Sequence, residues 1–201
     1  MKNIYNLLLI IILTGYFSNI YPQDYTNQRM NPDMKGYKIK GFFQITPIGG
    51  FIVPMFVLAD NYYTSGNAGI DFSYRVNRET ALFFESHYNF LSPIDSVGPN
   101  SSYLIMCLGS RFYWRARGVR SSFYFEAATG PYIHFFSSYS NSVGNFPSVT
   151  EFNWGGNAGF GGEIVLTNSL FFTLKGKYND IFSSKGTMSF ICGQSGISIS
   201  L

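Results

Sequence analysis

Charged residues occupy alternate positions in several apolar stretches of the 201-residue chain. In residues 68–76, AGIDFSYRV, Asp71 and Arg75 fall on the same alternation as two small residues, and the positions between them are apolar. Because successive side chains of a β-strand point to opposite faces, the two charges share one face. The same pattern gives eight charged candidates: Asp71, Arg75, Glu85, Arg111, Glu126, Glu163, Lys175 and Lys177. Such groups could form ion pairs, line an ion path or transfer protons.

Two histidines are further candidates for chemistry. His87 lies two residues from Glu85, on the same strand face, and His134 is followed three residues later by Ser137. A histidine beside a carboxylate can act as a general base, but an odd spacing sends His134 and Ser137 to opposite faces of a strand. No third partner is evident, so we expect histidines that line the protein interior, without catalysis, metal or cofactor.

The glycine-rich segment WGGNAGFGG, residues 154–162, does not predict nucleotide binding. A phosphate-binding loop needs a strand that turns into a helix, and no helix follows here. The glycines alternate along a predicted strand. We therefore expect them to make room for inward side chains of neighbouring strands.

Composition indicates a surface that is poor in charge. Hydrophobic residues make up 46% of the chain, aromatic residues 19% and charged residues 12%, against about 25% charged in soluble domains. The formal net charge of +3 gives no reason to expect a nucleic-acid partner.

The first 23 residues have the order of an export signal. Lys2 precedes an apolar run over residues 7–13, and small residues and Pro22 follow. That run is too short to span a bilayer, which takes about 20 residues. We expect a signal peptide over 1–23, a periplasmic leader over 24–35 and one domain over 36–201, so any membrane residence must come from strands.

Eight strands are predicted, and their connections alternate in length. The predicted strands are 36–52, 66–76, 80–91, 102–114, 121–138, 152–166, 170–181 and 188–201. The odd-numbered connections (53–65, 92–101, 139–151 and 182–187) are mostly long and rich in Gly, Pro, Asn and Ser, and the others are short. Long loops at one end, tight turns at the other and an even strand count are typical of an outer-membrane barrel.

The orientation of the two faces separates a barrel from a soluble sandwich. Tilted strands of nine to eleven residues cross a bilayer, whereas strands of globular proteins usually have five or six. A soluble fold would place the charges in its core, which is costly. We therefore predict an all-β, eight-stranded antiparallel up-and-down transmembrane barrel, with apolar residues outside and charges inside.

Within such a barrel, the favoured interpretation of the charges is an ion-pair network that fills the lumen. An eight-stranded barrel encloses little more than its own side chains. The strand spacing puts Glu126 diagonal to Arg111, and Glu163 diagonal to Lys175. A gated, porin-like ion path is the alternative, but it must separate buried pairs at a cost of several kcal/mol.

Four aromatic residues are predicted to lie in the interfacial girdles at the two ends of the barrel: Tyr113, Trp114, Phe152 and Trp154. Pro47 and Pro131 cannot donate to a strand ladder, so we expect them at bulges or beyond the membrane rim. Cys107 and Cys192 fall on opposite walls, too far apart for a disulfide, and are expected to be free thiols.

The chain resembles the small eight-stranded outer-membrane β-barrel family of Gram-negative bacteria, which includes the OmpA-like transmembrane domain and OmpX-like proteins. The resemblance rests on the strand layout, the inward charges and a last strand that ends in GISISL, with an apolar final residue. The resemblance covers residues 36–201, although the family commonly ends in Phe where this chain has Leu201. It implies an outer-membrane location and a structural, adhesive or surface-interaction role without a cofactor. The implied partners are outer-membrane lipid and an extracellular ligand or protein at the long loops.

Two other classes remain open. An outer-membrane lipid-modifying enzyme, such as a lipid A acylase or deacylase, needs a catalytic group at the outer rim, and the deacylase-type His-x-Ser pair is absent because Phe136 follows His134 at that spacing. A soluble lipocalin-like ligand carrier needs an apolar interior, which the charges contradict.

Overall fold

Alternating apolar and polar residues form long antiparallel strands in the computed structural model, which describes residues 42–76, 79–94, 99–114, 121–141, 144–167, 169–183 and 186–201. Eight of the described strands form the barrel: β1 (Phe42–Met55), β3 (Ser65–Arg75), β4 (Thr80–Pro93), β5 (Ser101–Trp114), β6 (Ser121–Phe136), β9 (Val149–Val165), β10 (Leu170–Ser183) and β11 (Gly186–Ser200). Within those ranges no helix is long and apolar enough to cross a membrane. The predicted signal peptide and leader, residues 36–41 of the first predicted strand and the turn 115–120 lie outside the described residues.

The barrel closes on itself. Each barrel strand pairs antiparallel with its two neighbours in the chain, β4 pairs with β5, and β1 pairs with β11 from Gln44 opposite Ser200 to Met55 opposite Ser189. Within the described residues, each of the eight barrel strands therefore has a partner strand on both sides, as strands in hydrocarbon require. The predicted eight-stranded up-and-down barrel is confirmed, and every predicted strand that the structure describes agrees within about three residues.

Three short strands lie at the end of the barrel that carries the longer connections, here called the long-loop end. They are β2 (Tyr62–Tyr63), which pairs with the end of β4, and β7 (Tyr139–Asn141) and β8 (Gly144–Phe146), which form a hairpin. The connection predicted over 182–187 is shorter in the structure. Strand β10 continues to Ser183 and β11 begins at Gly186, so only two residues separate them.

The outer wall of the barrel is apolar. Large side chains alternate along each strand and point away from the lumen; examples are Phe51, Phe72, Leu82, Phe90, Leu108, Phe160, Leu174 and Ile191, all of them exposed. Among the charges of the described strands, Asp180 shares the outward alternation of Leu174 near the long-loop end of β10, and the others point the other way. This arrangement is the one that a barrel surrounded by lipid requires.

Neither proline lies at a bulge, so the expectation of bulges at Pro47 and Pro131 is wrong. Pro47 lies opposite Ile70 in β3, and Pro131 lies opposite Trp154 in β9. The register of β1 with β11 and of β5 with β6 is the same before and after each proline. Each proline therefore removes a donor without shifting the register of its strand.

An apolar cluster closes the lumen toward the long-loop end. We call it the apolar plug; its members are Ile52, Leu58, Leu91, Tyr103, Ile105, Cys107, Tyr132, Ile181, Phe190 and Cys192. Leu58 belongs to a single 3-10 turn, Phe56–Leu58, and is 3% exposed. The turn starts with Phe56 at a φ of 51°, a conformation that bulky residues rarely adopt. Both cysteines are free thiols, as expected.

Candidate functional site

The eight charged candidates come together in the lumen. We call this group the ionic belt; its members are Asp71 and Arg75 of β3, Glu85 of β4, Arg111 of β5, Glu126 of β6, Glu163 of β9, and Lys175 and Lys177 of β10. Each is at most 3% exposed. Four acids face four bases, so the ionic belt has no net formal charge. Buried charges are tolerated only when paired in this way.

Asp71 is a central acceptor of the ionic belt. Its Oδ2 atom accepts hydrogen bonds from Lys175 Nζ at 2.6 Å and Arg111 Nη2 at 2.7 Å. Its Oδ1 atom lies 2.7 Å from His87 Nε2. Asp71 thus joins β3, β4, β5 and β10 across the lumen.

Two more carboxylates complete the centre. Glu85 accepts from Lys177 Nζ at 2.5 Å and from Asn157 Nδ2 at 2.8 Å. Glu126 Oε2 accepts from Arg111 Nε at 2.6 Å. Several of these bonds join charged partners in a buried setting, where charge-assisted hydrogen bonds are strongest.

Near the short-turn end, Arg75 and Glu163 form a separate pair. Arg75 Nη2 donates to Glu163 Oε2 at 2.9 Å. The guanidinium of Arg75 lies 3.5 Å from the centroid of the Tyr113 ring, and the Tyr113 hydroxyl donates to Glu163 Oε1 at 2.9 Å. Tyr113 is 5% exposed, so its predicted place in an interfacial girdle is wrong: the residue follows the inward alternation of Arg111.

The other three predicted girdle residues lie on the outer wall. Trp114, next to Tyr113, is 50% exposed, and Phe152 and Trp154 are exposed near the long-loop end. The Trp154 Nε1 atom donates to Thr129 Oγ1 at 3.0 Å. One apolar face and one satisfied polar edge suit an aromatic residue at a membrane interface.

Of the two predicted charge pairs, Arg111–Glu126 forms with a different geometry and Glu163–Lys175 does not form. Arg111 lies directly opposite Glu126 rather than diagonal to it. Glu163 lies opposite Thr173, diagonal to Lys175 as expected, but its partner is Arg75, and Lys175 binds Asp71 instead. Pairing rules for neighbouring strands do not predict the partners of Glu163 and Lys175, because closure of the barrel brings charges from across the lumen within reach.

His87 is held between two hydrogen bonds. Gln194 Nε2 donates to His87 Nδ1 at 2.9 Å, which leaves the proton on Nε2, facing Asp71. Both ring nitrogens are occupied, so His87 is poorly placed to take a proton from a substrate. The sequence predicted its pairing with a carboxylate, but the short contact is to Asp71, and Glu85 lies 3.9 Å away.

Asp71, Glu85 and His87 could offer three ligand atoms to a metal, since these atoms lie within 4.8 Å of one another. The same carboxylates already bind Lys175, Lys177 and Arg111. A divalent cation would have to displace these bases and would add charge to a neutral cluster. The donor set therefore fits an ion-pair network better than a metal site.

A set of buried asparagines that sequence reasoning did not single out lies on the long-loop side of the ionic belt. Asn67 lies opposite Asn89, and Asn157 lies opposite Asn179. All four are buried, and Asn179 Oδ1 accepts from the Tyr132 hydroxyl at 3.2 Å. Their inward positions on alternating strands were the available signal. They form a transition from the ionic belt to the apolar plug.

His134 lies at the mouth of the lumen, above the apolar plug. Its Nε2 atom hydrogen-bonds the hydroxyl of Ser101, a residue of the neighbouring strand that sequence reasoning missed. The imidazole lies between the rings of Tyr103 and Phe136, at centroid distances of 3.9 and 3.7 Å. Ser137, the serine nearest in the sequence, follows β6, whereas Ser101 comes into contact only through the pairing of β5 with β6.

A cavity of about 250 Å³ opens at this mouth. We call it the mouth cavity; its lining includes Leu58, Tyr62, Tyr103, His134, Phe136 and Met188. Burial raises the pKa of Tyr62, so this phenol stays neutral. The apolar plug lies beneath the cavity and includes two of its lining residues, Leu58 and Tyr103.

Comparison with known proteins identifies the fold. No protein-family model matches the chain, and no curated protein matches it. Among solved structures, Neisserial surface protein A (NspA) has a TM-score of 0.54 at 12% identity, covering 79% of this chain and 97% of that chain. The outer membrane protein OprG from Pseudomonas aeruginosa has a TM-score of 0.53 at 10% identity, and the match covers 83% of this chain and 98% of that chain. The N-terminal β-barrel domain of Pseudomonas aeruginosa OprF has a TM-score of 0.51 at 14% identity, and the match covers 80% of this chain and 99% of that chain.

These matches confirm the fold that the OmpA-like and OmpX-like resemblance implied. The chain has the fold of a small outer-membrane β-barrel, and its apolar outer wall and charged lumen have the polarity of a transmembrane barrel. Both observations support the outer-membrane location that the strand layout and the resemblance imply.

Proposed function

We propose that the chain is an integral outer-membrane protein with a structural or surface-interaction role, in which the barrel is a lipid-embedded anchor and the long loops bind an extracellular ligand or protein. One observation carries this proposal: the lumen is filled in two successive layers. The neutral ionic belt is followed by the apolar plug. Passage of an ion would require breaking buried pairs and then crossing an apolar constriction.

The long-loop end offers groups suited to contact with a partner. Phe56 is 66% exposed, and Val57 and Tyr63 are also more than half exposed. In the β7–β8 hairpin, Tyr139 and Phe146 stack at 4.7 Å. Aromatic side chains that project from a rigid scaffold are favoured at binding surfaces.

The proposal is tested in two steps. The purified barrel in planar bilayers should give no stable ion conductance, and discrete channels would instead support the porin-like alternative. Gram-negative cells that express the chain should then adhere to immobilised extracellular protein or glycan surfaces. The variant Phe56→Ser/Val57→Ser should lose this adhesion, whereas Val76→Ser, an exposed apolar change at the opposite end, should keep it. Equal adhesion of all three would contradict a loop-mediated role.

Ester hydrolysis at the mouth is a second candidate, favoured by the Ser101–His134 hydrogen bond. A histidine that accepts the proton of a serine hydroxyl can activate it as a nucleophile. Ser101 is buried and also bonds Tyr62, which shields it. Labelling of the folded barrel with a fluorophosphonate, lost in Ser101→Ala, would support hydrolysis; unlabelled protein would leave the binding role as the remaining function.

A further inference from the structure

The mouth cavity combines an apolar wall with rings that can interact with positive charge. Tyr62, Tyr103 and Phe136 contribute aromatic groups, and Leu58 and Met188 contribute aliphatic contacts. A cation placed over an aromatic face is attracted to it. The lining comes from two connections, β1–β2 and β4–β5, and from five strands, β2, β4, β5, β6 and β11.

Charge at this end of the molecule is acidic. Among the described residues, the Asp and Glu residues toward this end are Asp60, Glu151 and Asp180. Every Lys and Arg among the described residues belongs to the ionic belt, on the other side of the apolar plug. Asp60 lines the mouth cavity, and Glu151 lies opposite His134 in the ladder. A cationic ligand is therefore favoured over an anionic one.

The cavity volume limits the size of the ligand. At about 250 Å³, it has room for roughly eight non-hydrogen atoms, if each occupies about the volume of a water molecule in the liquid. Such a space fits a compact ring or short chain with one polar group. It is too small for a lipid or a folded segment of protein.

We propose that the mouth cavity binds a small organic cation, a protonated amine with a compact apolar body. The apolar body lies against Leu58, Phe136 and Met188, and the ammonium group interacts with the aromatic rings and Asp60. Phe56, with its left-handed φ, starts the turn that carries Leu58 into the mouth; such strained residues cluster at ligand-binding sites. This inference goes beyond the proposed surface role and does not depend on adhesion.

The test compares three probes of nearly equal size on the full barrel refolded in zwitterionic detergent: benzylammonium, benzyl alcohol and benzoate. Calorimetric titration should show the cation binding about fivefold more tightly than the alcohol, with the anion weakest. Asp60→Asn should weaken cation binding about threefold without affecting the alcohol. Phe136→Leu should also weaken the cation more than the alcohol.

The control Glu79→Gln makes the same kind of charge change near the opposite end of the barrel and should leave all three affinities unchanged. Equal affinity for the cation and the anion would overturn the proposal. So would cation binding that Asp60→Asn and Phe136→Leu both leave intact, because that behaviour indicates uptake by the detergent. Failure here leaves the adhesion test standing, since that test measures the contribution of the exposed Phe56 and Val57 side chains to adhesion and does not require a ligand in the mouth cavity.

Discussion

At the scale of single residues, the loss of stability caused by a substitution in the ionic belt depends on which buried charge is left without its partner. Arg111 is buried and held by Glu126 and Asp71. Glu126→Gln keeps the shape of the side chain but leaves part of a buried guanidinium charge uncompensated, so we expect a loss of about 3 kcal/mol in the free energy of unfolding. Urea titration of the barrel in lipid vesicles measures this loss.

The double variant Glu126→Gln/Arg111→Met provides the control. It removes both charges, so its loss should be smaller than that of Glu126→Gln alone. A single variant as stable as the native chain would show that the buried pair is not formed. Asp60→Asn, at the exposed rim, should change stability little.

Tyr113 and Trp114 are neighbours in the sequence but lie on opposite sides of the barrel wall. Tyr113→Phe removes a hydroxyl that donates to the buried Glu163 carboxylate, which should cost about 1.5 to 3 kcal/mol of unfolding free energy. Trp114→Phe keeps an aromatic ring on the outer wall and should cost less. The same urea titration ranks the two variants, and the reverse order would contradict the inward placement of Tyr113.

At the scale of elements, inward glycines of β9 decide how closely two strands approach. A Cβ at Gly161 would collide with the ring of Tyr124, whereas one at Gly162, on the opposite face, would meet Phe123 at an ordinary 3.5 Å. Tyr124 is fully buried and cannot move aside. Gly161→Ala should therefore destabilise the barrel by about 1 to 3 kcal/mol, and Gly162→Ala should have little effect.

Heat-modifiable gel migration at increasing temperatures measures this difference, because it reports the temperature at which the barrel unfolds. If Gly161→Ala unfolds at the same temperature as Gly162→Ala, the ring of Tyr124 does not pack on β9 as described. The comparison is internal to two adjacent residues of one strand, so general effects of glycine replacement cancel.

The 3-10 turn is the element that covers the apolar plug. Leu58→Ala should open this cover, since it removes a buried side chain that only the turn supplies. Cys107 and Cys192 lie beneath it as free thiols, so a small maleimide should label them faster in Leu58→Ala than in the native barrel. Val57→Ala, an exposed neighbour, should leave the rate unchanged. Equal rates in all three would argue against the turn as a cover.

These elements also show how far sequence reasoning reaches. Alternation is a local property, so the residue types around Asp71 and Phe72 are enough to predict the strands, their facing and the inward charges. Partner choice is not local. Glu163 meets Arg75 only because β9 and β3 face each other across a closed lumen, and Ser101 meets His134 only through strand pairing. The apolar plug was missed because inward Ile and Phe residues look like any other apolar position.

At the scale of the whole molecule, the arrangement depends on one polarity: the charged surface is enclosed and the apolar surface is outside. The barrel interior is neutral as a unit, and the exposed wall carries large apolar side chains at mid-strand. A water-soluble protein with this wall would be driven to aggregate. Lipid removes that difficulty, and backbone closure satisfies the hydrogen bonds that lipid cannot.

This polarity predicts that an arginine on the outer wall at mid-strand destabilises the barrel, whereas an arginine in a loop beyond the strands does not. Leu174, at the middle of β10, is 59% exposed on the outer wall, so Leu174→Arg should cost about 2 to 4 kcal/mol in vesicles, as an arginine at the bilayer midplane does. It should also lower the yield of folded barrel in the outer-membrane fraction. Val57→Arg, in the loop beyond the strands, should be tolerated on both counts. If Leu174→Arg folded as well as Val57→Arg, or gave a soluble protein, the outer wall would face water and the interpretation of the chain as a transmembrane barrel would fail.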